Sequence, residues 1–504
     1  MLQVDLLDSS DHLIGDGPLT NILSASVTEK LDEVGAVSFS VPATDDKVRA
    51  YLSSAVRARV TAPDGYTATG IVRARKRSLS PAVLNVSGPD LLAELSAITC
   101  GWLAVYNTNA GGGIYGDDLN SVVLVDLLAG TGWSAGSIDA SMGLFYGSFS
   151  GETRFSALGM ARKRVGKHIR QGSTARTLDF GSFGTAHGYR LQNVAHVLKA
   201  QDTTTTLGVI DTLEVLDDDE DVCNLIVPFG AGDDGDYLIS GNYDWGKVRL
   251  VDLLQTGVYT ITDIQVRKGL RGAETTTASG SSGTTLKVAS TAGFRSGSRI
   301  FIGDKTNADS ASTWKWWATT ISSITDSTTM VLSAALAAGL GAGLNVISDP
   351  QYYLYDATAY AANPREQVKI FSEIDVPYRA AGGTNIAQFV PAAKALYDHT
   401  KAYLADHKQA RSVYRVTPVK VPIDLRVGQT IHLEYHGQVT RNGVTANWLD
   451  ISADLYVLSI TRTYNADGSL TAALEISDVN RQRQTDGEMI ASLVGSSGMM
   501  QKKV

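Results

Sequence analysis

YVLSITRTYNADGSLTAALEIS, from Tyr456 to Ser477, places two strand-like segments on either side of the dipeptide Asp467-Gly468. Asp-Gly between two such segments is a strong signal for a tight β-hairpin. Upstream, RSVYRVTPVKVP and TIHLEYHGQVT have the same character, and Asn442-Gly443 supplies a second turn. This part of the chain is therefore predicted to form four strands of an antiparallel sheet.

The clearest long helix is predicted immediately before these strands, between Pro364 and Asp406. Pro391 is expected in its first turn, where a proline is tolerated because its missing N–H has no partner there. The apolar face of this helix recurs at helical spacing and consists of Ile386, Phe389, Ala393, Leu396, Tyr397, Tyr403 and Leu404.

The first ninety residues alternate between short apolar-periodic runs and turn signals such as Asp64-Gly65, which favours a compact β-barrel or sandwich. Asp90 is a plausible N-cap of a short helix after it. Two more helices are predicted, one over Ser121 to Leu128 and one over Glu152 to Gly166. The second is amphipathic, and its residues Arg162, Lys163 and Arg164 are expected to be exposed.

Composition changes between Gly272 and Ser348, where Ser, Thr, Gly and Ala dominate. This block contains four to six short strand patterns and has a composition break at each edge. We interpret it as an inserted all-β domain.

The 504 residues carry a formal net charge of -8, which argues against general binding to a nucleic-acid backbone. The two cysteines, Cys100 and Cys223, lack metal-ligand spacing and are expected to be small buried thiols. The N-terminus lacks the pattern of a secretory signal, and the uncharged stretch Val331 to Ile347 is too short and too rich in Gly and Ala for a membrane span.

Several segments together resemble the hub family of bacteriophage tail tips. The family includes the trimeric baseplate hub of contractile tails and the tail-associated protein of long non-contractile tails. The resemblance rests on the helix AAKALYDHTKAYLADH, the following PIDLRVGQTI (422–431) and the hairpin 456–477. In the turn at 424–428, Gly428 is expected to adopt positive φ and Asp424 to bond backbone amides. Gln429 stands where the family commonly has an acidic residue.

The resemblance implies a structural virion protein of the tail tip, made in the host cytoplasm. It implies a homotrimer in which two barrel-like domains per subunit adapt a threefold tip to a sixfold tube. The implied partners are the tail tube and distal tail proteins above and fibre or tip proteins below. Phage DNA would be met only in transit through an axial channel.

The predicted fold class is mainly β with a few helices (α+β). It comprises several β-barrel or sandwich domains of hub type plus the inserted all-β domain. The predicted domain boundaries are 1–98 for the N-terminal barrel, 99–205 for a middle α+β domain, 206–271 for a β segment continuing the hub, 272–348 for the insertion, 349–478 for the helix and second barrel, and 479–504 for a C-terminal helix and tail.

No catalytic, cofactor-binding or metal-binding residue is predicted. The acidic run Asp217 to Asp221 lacks the spacing of a calcium loop, and so do Asp233, Asp234 and Asp236. His432 and His436 would lie about 13 Å apart on one strand face, too far to share a metal. The Gly-rich segment Asn109 to Gly116 lacks a Walker lysine and is expected to be a loop.

The tryptophans Trp314, Trp316 and Trp317 are the candidate contact residues. On a strand Trp314 and Trp316 would share a face, a shape suited to sugar stacking or to a subunit contact, with core packing of the insertion as the simpler explanation. A host-glycan-binding tail protein therefore stays open. The other alternative, a cell-wall-degrading tail enzyme, lacks a recognisable pair of acidic residues or a Cys/His dyad. We also expect too little chain after residue 478 for a hydrolase domain.

Overall fold

The computed structural model describes residues 1–79, 81–111, 114–193, 207–219, 221–231, 248–250, 263–269, 272–303, 316–336, 341–348, 350–371, 374, 386–441 and 444–478. Its strands far outnumber its helices, which confirms the predicted class, mainly β with a few helices. The helices are α1 (Asp46–Tyr51), α2 (Leu124–Leu128), α3 (Arg154–Val165), α4 (Ala357–Ala362) and α5 (Ile386–His407). In the part of the chain that is described, no helix is long and apolar enough to cross a membrane.

The N-terminal region consists of two sheets packed around one core. Its strands are β1 (Gln3–Leu7), β2 (Ser24–Lys30), β3 (Ala36–Pro42), β4 (Arg57–Thr61), β5 (Thr67–Ile71), β6 (Ala74–Leu79) and β7 (Ala82–Pro89). The order β1-β4-β5 forms one layer, and β2-β3-β7-β6 forms the other. Alternate residues of both layers, such as Val60 and Phe39, are buried between them. Asp90 accepts a hydrogen bond from Leu92 N and caps a 3-10 turn, Leu91–Glu94.

The middle region surrounds a second core with short strands and two helices. Its strands are β8 (Ala104–Tyr106), β9 (Asn109–Gly111), β10 (Ile114–Tyr115), β11 (Asp117–Asp118), β12 (Ser134–Ile138), β13 (Leu144–Phe145), β14 (Gly147–Phe149), β15 (His168–Gln171) and β16 (Thr177–Gly181). The expected loop at 109–116 is instead a small hairpin of β9 and β10. A π turn, Leu119–Val123, precedes α2, so this helical segment begins two residues before the prediction.

Helix α3 begins after Thr153, whose side chain accepts a hydrogen bond from Ser156 N, and ends at Gly166 in the left-handed conformation, φ 62°. The prediction that its three basic residues are exposed is wrong for two of them. Arg164 is buried, with its guanidinium stacked 4.5 Å from the Phe145 ring centroid. Arg162 is partly buried because it binds Asp32, and only Lys163 is exposed.

The rest of the chain adds strands in the following order. They are β17 (Ala186–Gln192), β18 (Leu207–Asp218), β19 (Leu225–Gly230), β20 (Gln265–Lys268), β21 (Glu274–Thr276), β22 (Thr285–Lys287), β23 (Arg299–Gly303), β24 (Trp316–Asp326), β25 (Thr329–Leu332), β26 (Asn345–Ser348), β27 (Pro350–Tyr355), β28 (Glu366–Phe371), β29 (Arg411–Pro418), β30 (Thr430–Arg441), β31 (Val444–Asn465) and β32 (Leu470–Ser477).

Six of these strands close into a barrel. The pairing runs β17-β18-β29-β32-β31-β30, and β30 pairs back onto β17. The interior is apolar and includes Leu191, Leu433, Leu455 and Ile476. The predicted hairpin lies here as β31 and β32, with Gly468 at φ 84°. We call this unit the C-terminal barrel.

Strand β31 belongs to two units at once. Its second half pairs with β32 on one side and with β2 of the N-terminal region on the other, so the ten strands from β30 to β6 form one sheet. A register shift between Val457 and Ser459 is a β-bulge, which changes which alternate residues point inward. Leu455 and Val457 are buried before it, and Leu458 and Ile460 after it.

Strands β21 to β26 form a separate six-stranded sheet, β21-β26-β23-β24-β25-β22. Two backbone hydrogen bonds, Ala278 N to Lys287 O (2.8 Å) and Ala289 N to Thr276 O (2.9 Å), join its first and last strands and close it into a barrel. Ile300 and Ile302 fill its core. We call this unit the inserted barrel.

Helix α5 covers one face of a four-stranded sheet, β20-β27-β19-β28. Pro391 is the sixth residue of this helix, so it lies in the second turn and not, as predicted, in the first. The same core includes Phe301 and Ile347 of the inserted barrel, which point away from the barrel's own interior. Phe301 packs edge-on against Tyr352 at 5.6 Å.

Candidate functional site

Glu29, near the end of β2, lies where three segments of the chain meet. Its Oε1 accepts hydrogen bonds from Arg462 Nη1 (3.1 Å) and from the Tyr66 hydroxyl (2.6 Å). Its Oε2 accepts one from Arg426 Nε at 3.2 Å. Burial, followed by the negative charge of Glu29, raises the pKa of Tyr66 well above its usual value, so the hydroxyl stays protonated and donates.

Arg462 is 0% exposed, although it belongs to β31 of a mainly apolar sheet. Besides Glu29, its guanidinium donates to Leu425 O (2.8 Å) and Pro422 O (3.2 Å). Removing one partner of a buried ion pair leaves the other charge uncompensated, which is strongly destabilising. Arg462 therefore ties β2, β31 and the loop 422–427 into one arrangement.

The loop 422–428 also binds the middle region, because an arginine of each segment donates a hydrogen bond to a backbone carbonyl of the other. Arg426 donates to Gln171 O, and Arg170 of β15 donates to Val427 O. Burial, followed by the nearby positive charge of Arg426, lowers the pKa of Arg170. The carboxylate of Asp179, 3.1 Å from Arg170 Nε, partly offsets this decrease. The loop thus contacts the N-terminal and middle regions at once.

The turn at 424–428 has the predicted glycine conformation but a different side chain bonded to the backbone. Gly428 has φ 82°, and a Cβ there would meet the Phe183 ring at 2.8 Å, so glycine is required for both reasons. Asp424, expected to bond the backbone amides, is exposed and faces His187. Gln429 takes that role instead, because its Oε1 accepts from Arg426 N at 2.7 Å.

A second carboxylate, Asp32, is buried and joins the N-terminal region to α3. Asp32 has φ 66°, accepts hydrogen bonds from His168 Nδ1 (2.8 Å) and Ile169 N (2.8 Å), and forms an ion pair with Arg162 Nη1 at 3.0 Å. Burial works to raise the pKa of Asp32, but Arg162 and these hydrogen bonds outweigh it and lower the pKa. The carboxylate is therefore held in its charged form.

A third ionic group lies at the other end of the same boundary. Glu94 binds Arg57 (2.7 Å) and Arg176 (2.7 Å), and both arginines also contact Asp11. The arginines outweigh the effect of burial and lower the pKa of Glu94. We call the three groups centred on Glu29, Asp32 and Glu94 the charged junction.

A cleft of about 500 Å³ runs along the charged junction, between the N-terminal region, the turn 171–176 and the loop 423–427. Four of its charged lining residues are already bound: Glu29 to Arg426, Arg170 and Arg426 to backbone carbonyls, and Arg176 to Glu94. Groups bound in this way fix the position of structural units.

The candidate tryptophans are placed only in part. Trp316 and Trp317 begin β24, opposite Gly303 and Ile302 of β23. Trp314 lies outside the described residues, as do the side chains of the other two. The shared face of Trp314 and Trp316 therefore stays a prediction.

The other candidate residues are separated from one another. Asp217 accepts from the Ser412 hydroxyl, and Asp219 binds Arg365. His432 and His436 share a strand face, as predicted, but each faces its own partner across the hairpin, Asp454 and Asp450. Asp233, Asp234 and Asp236 lie outside the described residues. Within the described ranges, no group of three or more His, Cys, Asp or Glu side chains is placed to hold a metal ion.

The two cysteines differ in exposure. Cys223 is buried, and burial raises the pKa of its thiol to about 11, whereas Cys100 is half-buried. Both thiols are free.

Sequence reasoning missed the residues of the charged junction, although one carries a signal. In SITRTYN, Ile460, Arg462 and Tyr464 alternate on one face of the strand, so the alternation places Arg462 among inward residues. A charge at such a position requires a buried partner. The sequence around Glu29 and Asp32 does not indicate that they pair with buried cations, because the residues that bind them come from remote segments.

No protein-family model matches the chain, and no curated protein matches it in sequence. Among solved structures, it is similar over nearly its whole length to phage tail proteins. Prophage tail protein gp18 of Listeria monocytogenes matches at 9% identity with a TM-score of 0.45, covering 98% of each chain. A tail protein of Neisseria meningitidis matches at 12% identity with a TM-score of 0.44, covering 95% of this chain and 96% of that one. The 43 kDa tail protein of prophage MuSo2 of Shewanella oneidensis matches at 11% identity with a TM-score of 0.43, covering 94% and 97%.

Proposed function

We propose that this chain is a structural component of a bacteriophage tail tip, a hub-type subunit of a ring that caps the tail tube. The observation that carries the proposal is that one strand, β31, belongs to two sheet units whose relative position is fixed by buried ion pairs. A wall subunit needs this property, because its parts must keep their angle to one another for a ring to close.

The N-terminal region and the C-terminal barrel together suit a subunit that joins a threefold tip to a sixfold tube. The N-terminal region and the C-terminal barrel lie side by side in one sheet, so each subunit contributes two β units to a ring. Three subunits would then present six units, which matches a threefold tip to a sixfold tube. The net charge of -8 suits a channel that DNA must cross, because a wall that bound phosphates would retain the DNA.

The test of this proposal is the mass of the purified chain by light scattering coupled to size exclusion. A homotrimer has three times the chain mass of 53.6 kDa. Electron microscopy of the same peak should show rings with an axial opening. A particle that is monomeric alone and remains so when mixed with assembled tail tubes would contradict the proposal.

A second candidate, binding of a host surface glycan, concerns the inserted barrel. It is favoured by the observation that the tryptophan-bearing strand β24 belongs to a closed unit with its own core. Trp314→Ala together with Trp316→Ala should then abolish binding to soluble cell-wall fragments while leaving the particle mass unchanged. Equal binding by the variant would exclude this role. The remaining alternative, a cell-wall-degrading enzyme, predicts peptidoglycan hydrolysis by the purified chain.

A further inference from the structure

Strand β6 is an open sheet edge with an unusual charge. Among the described residues it pairs with β7 alone, and it ends the ten-stranded sheet. Residues 73–77 are all exposed, and four of the five are basic: Arg73, Arg75, Lys76 and Arg77. Arg75 is anchored on Leu52 O and Ala55 O, but Arg73, Lys76 and Arg77 form no ion pair with the part of the chain that is described.

Strand β31 has a second open edge, and it carries the opposite charge. Its residues 444–455 pair with β30 on one side, and pairing with β32 begins only at Tyr456. No described strand pairs with the other side of 444–455. Asp450 and Asp454 belong to this segment, with side chains 56% and 76% exposed, and each forms an ion pair with a histidine of β30, the strand on the paired side.

These two edges cannot pair within one chain. Three strands, β2, β3 and β7, separate β6 from β31 in the sheet, so the two lie about 19 Å apart at the usual strand spacing. An open edge presents unpaired N–H and C=O groups that accept another strand, and natural proteins usually cover such edges.

We propose that the basic edge of β6 in one copy pairs with the acidic flank 444–455 of β31 in a second copy. The contact is heterologous, since two different surfaces meet, and such contacts generate rings when the rotation between copies closes. Opposite charges on the two edges select this pairing over β6 with β6, which would bring like charges together. The inference rests on the proposed ring and names its subunit contact.

The experiment is a charge swap, measured as the association constant of the full chain by light scattering over a concentration series. Arg73→Glu, Lys76→Glu and Arg77→Glu together should weaken association by about tenfold or more, because like charges then face each other. Asp450→Lys with Asp454→Lys should do the same. All five changes in one chain should restore association. Three exposed residues outside both edges provide a matched control, in which Arg49→Glu, Lys268→Glu and Arg295→Glu should leave association unchanged.

A second measurement needs no variant. Raising the salt concentration from about 0.05 to about 0.5 M should weaken association of the unmodified chain, since exposed charge pairs are screened. If rings form equally well when the charge of either edge is reversed and when the salt concentration is high, this contact is wrong, but the proposed function still stands. A chain that stays monomeric at every concentration, with and without tail tubes, would overturn both.

Discussion

The C-terminal barrel and the inserted barrel both contain six strands, but they are assembled in different ways. The inserted barrel closes within one stretch of chain, whose ends Ala273 and Ser348 are hydrogen-bonded 75 positions apart. The C-terminal barrel combines segments as distant as Gln192 and Glu434, which are 242 positions apart. The first can form from local contacts, whereas the second requires long loops to close before its contacts stabilise it.

Their attachments to the rest of the molecule differ as well. The C-terminal barrel shares a strand with the N-terminal region and is bound to it through the buried Arg462, which pairs with Glu29. The inserted barrel contributes Phe301 and Ile347 to the α5 core, a contact made by apolar side chains. Apolar contacts tolerate small displacements, but buried ion pairs need a defined geometry. We therefore expect the two units that share β31 to keep a more closely defined relative position than the inserted barrel does.

The largest effect should come from breaking the charged junction. Arg462→Ala leaves the partly buried Glu29 with Arg426 as its one cationic partner, besides the Tyr66 hydroxyl, and we expect it to lower the free energy of unfolding by about 3–5 kcal/mol. Arg415→Ala, which removes an exposed partner of Glu214, is the control and should cost about 1 kcal/mol or less. Both are measured by urea unfolding. Equal costs for the two variants would show that the junction adds no stability.

A cavity in the inserted barrel should act more locally. Ile302→Ala removes a fully buried side chain and should cost about 2–5 kcal/mol of the stability of that barrel. Because the barrel has its own core, we expect a separate early transition in hydrogen exchange, with protection lost in β21–β26 and kept in β29–β32. Leu433→Ala in the C-terminal barrel is the matched variant, and it should instead lower protection across β2 and β31 as well. Uniform loss in both variants would contradict the distinction.

The smallest effect concerns pH and Asp90, beside the charged junction. Burial raises the pKa of Asp90 to about 6, against hydrogen bonds from Gly35 N and Leu92 N that lower it. A folded pKa above the unfolded one gives stability that is complete below about pH 4 and is lost as pH rises through about 6. In the parent chain this loss lowers the free energy of unfolding by about 2–3 kcal/mol between pH 4 and pH 7, and Asp90→Asn should abolish it. Parallel stability profiles for variant and parent would refute the assignment.

Local chemistry was enough to predict several elements. Asp467-Gly468 marks the β31–β32 turn, α3 lies within the predicted range 152–166, and the alternation of β1 to β7 follows the two-layer core. These features depend on neighbours in sequence. By contrast, the predicted exposure of Arg164 failed because its partner ring, Phe145, comes from another element.

The charged junction could not be predicted from the sequence for the same reason. Glu29 binds Arg462 and Arg426, which are 433 and 397 positions away, and Asp32 binds strand β15 across 136 positions. Closure of the C-terminal barrel could not be predicted either, because the parallel pairing of β17 with β30 leaves no signal in the sequence near either strand. Gln429 shows that a departure from a familiar pattern can supply the missing hydrogen bond itself.

The bulge at 457–459 has a consequence for how the gene can change. Before it, odd-numbered residues of β31 point inward, and after it, even-numbered ones do. The inward residues from Leu455 to Ile460, on both sides of the bulge, therefore face the core of the C-terminal barrel, and Tyr464 further along reaches the N-terminal core. Deleting Leu458 would remove the extra residue and restore simple alternation, with Ile460, Arg462 and Tyr464 still pointing inward. Deleting Thr461 would instead turn Arg462 and Tyr464 outward, because a slip of one residue inverts every later side chain. A codon lost at the bulge would therefore preserve the inward residues, whereas a codon lost after it would expose the arginine that binds Glu29.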